Sequence, residues 1–120
     1  MNRIEKGKQA EAAAFSYLEA RGYQIIQRNY STPLGEIDLI AEKDGVLIFT
    51  EVRSRQGTNY GLPQETVNKR KQQKIRKVAA LYIKQNRLWK CDCRFDVIGV
   101  VFISSQYDEI QSIEHIEDAF

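Results

Sequence analysis

Residues 35–53 read Gly-Glu-Ile-Asp-Leu-Ile-Ala-Glu-Lys-Asp-Gly-Val-Leu-Ile-Phe-Thr-Glu-Val-Arg. Two runs rich in β-branched and apolar residues, Glu36–Lys43 and Val46–Arg53, flank the pair Asp44-Gly45. A two-residue type I′ turn needs positive φ at both central positions, and Asp-Gly supplies it, so the stretch predicts a β-hairpin. The turn sets the register. Lys43 then opposes Val46, Glu42 opposes Leu47, Ile40 opposes Phe49, Asp38 opposes Glu51 and Glu36 opposes Arg53. Side chains alternate between faces along a strand. One face carries Ile37, Leu39, Ala41, Val46, Ile48 and Val52 and reads as a core face. The other carries Glu36, Asp38, Glu51 and Arg53, with Ile40 and Phe49 beside them.

The opposition of Asp38 and Glu51 is the informative feature. Opposed residues place their Cβ atoms about 4.5–5.5 Å apart. Two carboxylates at ~5 Å repel by roughly 3 kcal/mol at an effective dielectric near 20. Folding gains nothing from that arrangement, whereas a hard divalent cation takes carboxylate oxygens and cancels the repulsion. Exposure to solvent, or neutralisation by Arg53 and other cations, would also relieve it, and spacing alone does not choose.

Outward from the hairpin, a first helix is predicted over Ile4–Arg21, where Ala10, Ala14, Tyr17, Leu18 and Arg21 recur at helical spacing and Gly22 supplies a stop. Glu11 shares a face with Ala14, Phe15 and Leu18. It is either an edge residue whose stem covers apolar surface or a third member of the acidic site. A strand over Tyr23–Tyr30 and a turn over Ser31–Gly35 lead into the hairpin. After it, Ser54–Glu65 reads as a mobile binding loop, with Gly57, Gly61 and Pro63. A second helix over Val67–Asn86 follows, with Ile75, Val78, Leu81 and Tyr82 as its core stripe and Lys71 and Lys74 just ahead of that stripe. A link through Trp89 precedes a strand over Arg94–Ile103, and Ile110–Phe120 reads as a short last strand or irregular edge. The order is helix, three strands, helix, strand: one α/β domain over residues 1–120, with a sheet covered by helices.

Composition narrows the function classes. With 42% hydrophobic and 28% charged residues the chain is globular in character. No apolar run approaches the ~20 residues that span a bilayer. The charged start, Met1–Lys8, lacks the apolar core of a signal peptide, so a cytoplasmic location is expected. Cys91 and Cys93 lie too close in sequence for an unstrained bridge and lack partners at zinc-site spacing. Reduced thiols are expected, with Cys93 as a small core residue. Net charge is +2, but residues 66–94 hold ten basic side chains against Asp92 alone, giving +9, while the remainder sums to −7. That asymmetry suggests a basic face for an anionic partner. Lys69, Lys71 and Lys74 are the candidate phosphate contacts, although a solvated basic helix would read the same way.

These residues resemble the YraN family, small bacterial proteins grouped with the restriction-endonuclease-like PD-(D/E)xK proteins and likened to archaeal Holliday-junction resolvases. The likeness runs through Gly7 and Glu11, Tyr17-Leu18, Gly22-Tyr23, Asn29, the block from Gly35 to Ala41, Glu51-Val52, Lys71, the block Arg94-Phe95-Asp96-Val97 and Asp118-Ala119-Phe120. It implies an αβββαβ core with a central mixed sheet flanked by helices. It also implies Mg²⁺ or Mn²⁺ held by Asp38 and Glu51, with the backbone carbonyl of Val52 and with Glu11 completing the acidic cluster. The superfamily motif ends in Lys where this chain has Arg53. Arg keeps the charge but cannot give up its proton. The implied activity is metal-dependent DNA cleavage by water attack on a phosphodiester, on branched or single-stranded structures, with Glu11, Asp38, Glu51 and Arg53 as the catalytic set. A homodimer is expected only by analogy with the resolvases. A nucleic-acid-binding module that has lost cleavage, and a protein-interaction adaptor using Trp89 and the tail, stay open.

Overall fold

The computed structural model describes residues 2–56, 61–103 and 109–120. Helix α1 spans Arg3–Ala20. Asn2 caps it by accepting from the Glu5 backbone N–H at 2.9 Å, and it closes with Gly22 N–H donating to Glu19 O and Tyr23 N–H to Leu18 O. Strands β1 (Gln24–Thr32), β2 (Gly35–Lys43) and β3 (Val46–Gln56) follow as an antiparallel meander. A single 3₁₀ turn, Pro63–Thr66, leads to α2 (Lys69–Gln85), capped by Asn68, and then to β4 (Asp92–Phe102) and β5 (Ile110–Ile116). The sheet runs β1-β2-β3-β4-β5, with β3 and β4 parallel and the other pairs antiparallel. This is the mixed sheet between helices expected of a restriction-endonuclease-like core.

The hairpin forms as read. Asp44 and Gly45 both have positive φ, 53° and 79°. The pairs Lys43–Val46, Glu42–Leu47, Ala41–Ile48, Ile40–Phe49 and Leu39–Thr50 are in the expected register. The paired residues stop there. The assignment of faces needs two corrections. Both faces of β2 and β3 are buried, because a helix covers each side of central strands. Leu39, Ala41 and Ile48 pack with Ala10, Ala14 and Leu18 of α1, while Ile40, Leu47 and Phe49 pack with Ile75, Val78 and Tyr82 of α2. Ile37 joins the α2 side, not the α1 side with Leu39, so strict alternation breaks between Ile37 and Leu39.

Several boundaries shift. The Ser31–Gly35 turn shrinks to Pro33-Leu34, with Thr32 pairing with Gly35. The expected loop loses its start to β3, which runs to Gln56, and its end to Pro63–Thr66. Residues 57–60 of that loop lie outside the described residues, so its expected mobility does too. Pro63 packs onto β4 at Gly99, where any side chain would clash, since a Cβ there would sit 2.6 Å from Pro63 Cγ. Cys93 is an exposed free thiol at the start of β4, ahead of the buried run from Phe95 to Phe102, and is not a core residue. The tail resolves as an edge strand. No helix among the described residues is long and apolar enough to cross a membrane.

Candidate metal centre and its surroundings

The acidic pair sits where the β2–β3 pairing ends. Asp38 and Glu51 are each only 7% exposed. Asp38 Oδ2 accepts from the backbone N–H of Val52 at 2.8 Å, so a side chain takes over from the ladder as the strands part. The two carboxyl groups are in contact. Burial first, then the charge of Asp38 and a hydrogen bond to it, raise the Glu51 carboxyl to about 8, against the weaker pull of Lys71 and Arg53. Burial beside a like charge disfavours the ionised form of Glu51, which is the physical cause of that rise.

Glu11 approaches from α1. Its half-buried carboxyl is raised by burial and by Asp38, countered by a hydrogen bond with Asn29, with smaller influences from Glu36 and Arg28. It therefore lies within electrostatic reach of the pair and borders the site. Among the described residues, no group of three or more His, Cys, Asp or Glu side chains converges closely enough to enclose a metal ion. Asp38 and Glu51 still fit a divalent cation as a hard oxygen donor pair, and Mg²⁺ keeps most of its waters in such sites.

Arg53 is half-buried, and its Nε is buried without a hydrogen-bond partner among the described residues. The expected opposition of Glu36 and Arg53 does not form: Glu36 accepts from Ser31 Oγ at 3.1 Å, and β3 beyond Glu51 pairs on its other side, with Arg53 beside Gly99 of β4. The three candidate lysines separate. Lys71 is half-buried on the side of α2 that faces the sheet, whereas Lys69 and Lys74 are exposed. Lys74 thus falls outside the core-facing stripe where spacing placed it, because Ile75, Val78, Ala79 and Tyr82 centre that stripe further round the helix.

A second carboxylate was not foreseen by spacing. Asp96 on β4 is fully buried, at 0% exposure. Arg94 grips it with Nε to Oδ1 at 2.9 Å and Nη2 to Oδ2 at 3.1 Å. His115 Nε2 lies 2.7 Å from Oδ2, and the Asp118 N–H donates to Oδ1 at 3.0 Å. Burial pushes this carboxyl up, but the bonds from His115, Arg94 and Asp118 outweigh it and hold it below the usual range. Tyr23 OH accepts from Arg94 at 2.7 Å and donates to Glu117 at 3.0 Å. The available signal was a lone charge inside an apolar run, Phe95-Asp96-Val97-Ile98, which demands partners.

Fold and site define an α/β protein with a restriction-endonuclease-like core and a buried carboxylate pair at the point where β2 and β3 separate. The profile of the Uncharacterised protein family UPF0102 matches residues 10–100. The chain is similar to UPF0102 proteins of Clostridium tetani (45% identical over 122 residues, covering 100% of this chain and 98% of that one). It is likewise similar to those of Desulforamulus reducens (44% over 121 residues, 99% and 98%) and Dictyoglomus turgidum (38% over 120 residues, 100% of each). The chain belongs to the UPF0102 family, which is the YraN family its sequence resembles.

Proposed function

We propose that this protein is a divalent-metal-dependent nuclease that hydrolyses phosphodiesters in DNA. The observation that carries the reading is the contact between the buried carboxyls of Asp38 and Glu51. That contact is costly to the empty fold and useful to a cation site. Asp38 and Glu51 would hold Mg²⁺ or Mn²⁺, and Glu11 would order its water shell from the α1 side. A bound cation would supply activated water and charge stabilisation at the scissile phosphate. The protein's own groups do the rest. The Val52 N–H fixes Asp38 in place. The half-buried guanidinium of Arg53 offers donors to developing negative charge. The exposed Lys69 and Lys74 hold the backbone of the nucleic acid without reading its sequence.

Arg53 in place of Lys favours a second reading, a nucleic-acid-binding module that retains the fold without cleavage. A screen of linear, single-stranded, flapped and four-way DNA with Mg²⁺ and Mn²⁺ separates the two, with Asp38→Ala as the blank. The nuclease reading expects cleavage of at least one substrate by the native protein and none by the blank. Binding without cleavage of every substrate would select the module.

A further inference from the structure

The basic residues of α2 do not act as one surface. Lys69, Arg70, Lys74, Arg76 and Lys77 are exposed, while Lys71 alone among the basic residues of this helix is half-buried. The topology explains why. Strands β3 and β4 are parallel and α2 connects them, so the helix runs antiparallel to β3. Ile75 of α2 and Phe49 of β3 share one core cluster. One helical turn back from Ile75 is Lys71, a rise of about 6 Å. Two residues on from Phe49, on the same face of the strand, is Glu51, a rise of roughly 6.6 Å. Because the elements are antiparallel, both steps lead in the same direction, and Lys71 arrives over Glu51. The electrostatics agree: among the cations that pull the Glu51 carboxyl down, Lys71 outranks Arg53, although Arg53 is only two residues away in sequence.

We propose that Lys71 is the site's reacting-phosphate cation: its ammonium donates hydrogen bonds to a non-bridging oxygen of the scissile phosphate beside the acidic pair. This rests on the nuclease reading and adds a catalytic residue to it. The two cations differ in what they can offer. The Arg53 guanidinium is a planar fork with its Nε buried. The Lys71 ammonium is a compact charge with three rotatable donors on a flexible stem rooted in the first turn of α2. It can follow an oxygen whose charge grows as the bond from water to phosphorus forms and the bond to the leaving sugar oxygen lengthens. Lys71 acts by hydrogen bonding alone, and no bond at its nitrogen is made or broken in the step.

The test is single-turnover cleavage at saturating protein, with Mn²⁺, on whichever DNA the native protein cuts, for Lys71→Gln, Lys71→Arg and Lys84→Ala. Gln keeps the aliphatic stem and removes the charge, and Lys84 is an exposed cation at the far end of the same helix. Lys71→Gln is expected to slow the chemical step at least about 10²-fold, the scale for losing one donor to developing charge. Lys71→Arg should recover most of that loss and Lys84→Ala should cut like native protein. Mn²⁺ affinity, measured without DNA, should be unchanged or tighter in Lys71→Gln, since a positive neighbour has been removed. Cleavage by Lys71→Gln within about threefold of native overturns the role of Lys71 and leaves the nuclease reading standing. So does a loss of Mn²⁺ binding with the charge, which would mark Lys71 as a support of the pair. If the native protein cuts nothing, the nuclease reading falls first and this role falls with it.

Discussion

The sheet contains two buried carboxylate groupings, and they are built in opposite ways. Asp96 is surrounded by donors: both sides of the Arg94 fork, His115 and the Asp118 N–H. Asp38 and Glu51 interact with each other, with the Val52 N–H donating to Asp38 alone and Lys71 and Arg53 pulling only weakly on Glu51. The first grouping holds its carboxyl below the usual range, and the second drives Glu51 up to about 8. Burial is common to both, so burial does not distinguish a structural charge from a functional one. The supply of donors does. Asp96 clamps the chain end to the sheet, tying β5 and residues 117–118 to β4. At the acidic pair the nearby Lys71 and Arg53 do not offset burial and like charge, and a bound cation, as proposed above, would.

The sharpest break in this comparison should come from the satisfied side. Asp96→Ala strands Arg94 and His115 without their shared acceptor, and losing one partner of a buried ion pair costs about 3–5 kcal/mol. Urea unfolding at neutral pH is expected to show that loss, or an unfolded protein. A change under about 1 kcal/mol would mean that the network is ornamental. Because its folded pKa is depressed, the stabilisation from Asp96 is present above the ordinary carboxylate range and is lost as pH falls through the lowered value.

The unsatisfied side should respond with the opposite sign. Glu51 ordinarily titrates near 4.5 and is raised to about 8 in the fold. Between those values the folded state holds more protons than the unfolded one, so native stability falls as pH rises. Glu51→Gln removes that dependence. The variant is expected to match native protein near pH 4 and to exceed it above pH 8 by on the order of a few kcal/mol, in metal-free thermal or urea unfolding. A native protein whose stability does not decline across this window would contradict the strained-pair account.

Much of this contrast was legible before the fold. Asp44-Gly45 fixed the register from Lys43–Val46 to Leu39–Thr50 as read, because a short turn leaves no freedom there, and the carboxyls of Asp38 and Glu51 meet just beyond the last paired residues. The helices were legible from periodicity, with Ile75, Val78 and Tyr82 buried as read. What escaped did so for physical reasons. The Asp96 network draws on residues 23, 94, 115, 117 and 118, so no local spacing announces it. Ile37 changed sides because the regular ladder ends beside Asp38, and parity arguments hold only while the ladder does. Lys71 and Lys74 looked equivalent in the charge count, yet a rotation of 300° around the helix separates three residues, and only one of the two turns inward.

Smaller effects sharpen the role of cations around the pair. Arg53→Ala should slow cleavage by roughly tenfold, less than loss of Lys71, and Arg53→Lys should cut as well as native protein or better, since either residue offers a donor to developing charge. Single-turnover rates with Mn²⁺ decide this. If Arg53→Ala cuts like native protein, Arg53 has no part in the chemistry. Smallest of all, Lys69→Ala with Lys74→Ala should make the salt dependence of DNA binding shallower by about two units while leaving both carboxylate groupings untouched. An unchanged slope would remove the exposed helix face from the interface.

The central claim is that the acidic pair is a cation site and the Asp96 cluster is not. Binding of Mn²⁺ to the DNA-free protein, followed by titration calorimetry near neutral pH, tests it most directly across native protein, Asp38→Asn, Glu51→Gln and His115→Gln. Saturable binding is predicted for native protein and for His115→Gln, with a loss of at least about tenfold in affinity for Asp38→Asn and for Glu51→Gln. Equal Mn²⁺ affinity in all four proteins, or no binding by any of them, would contradict the account.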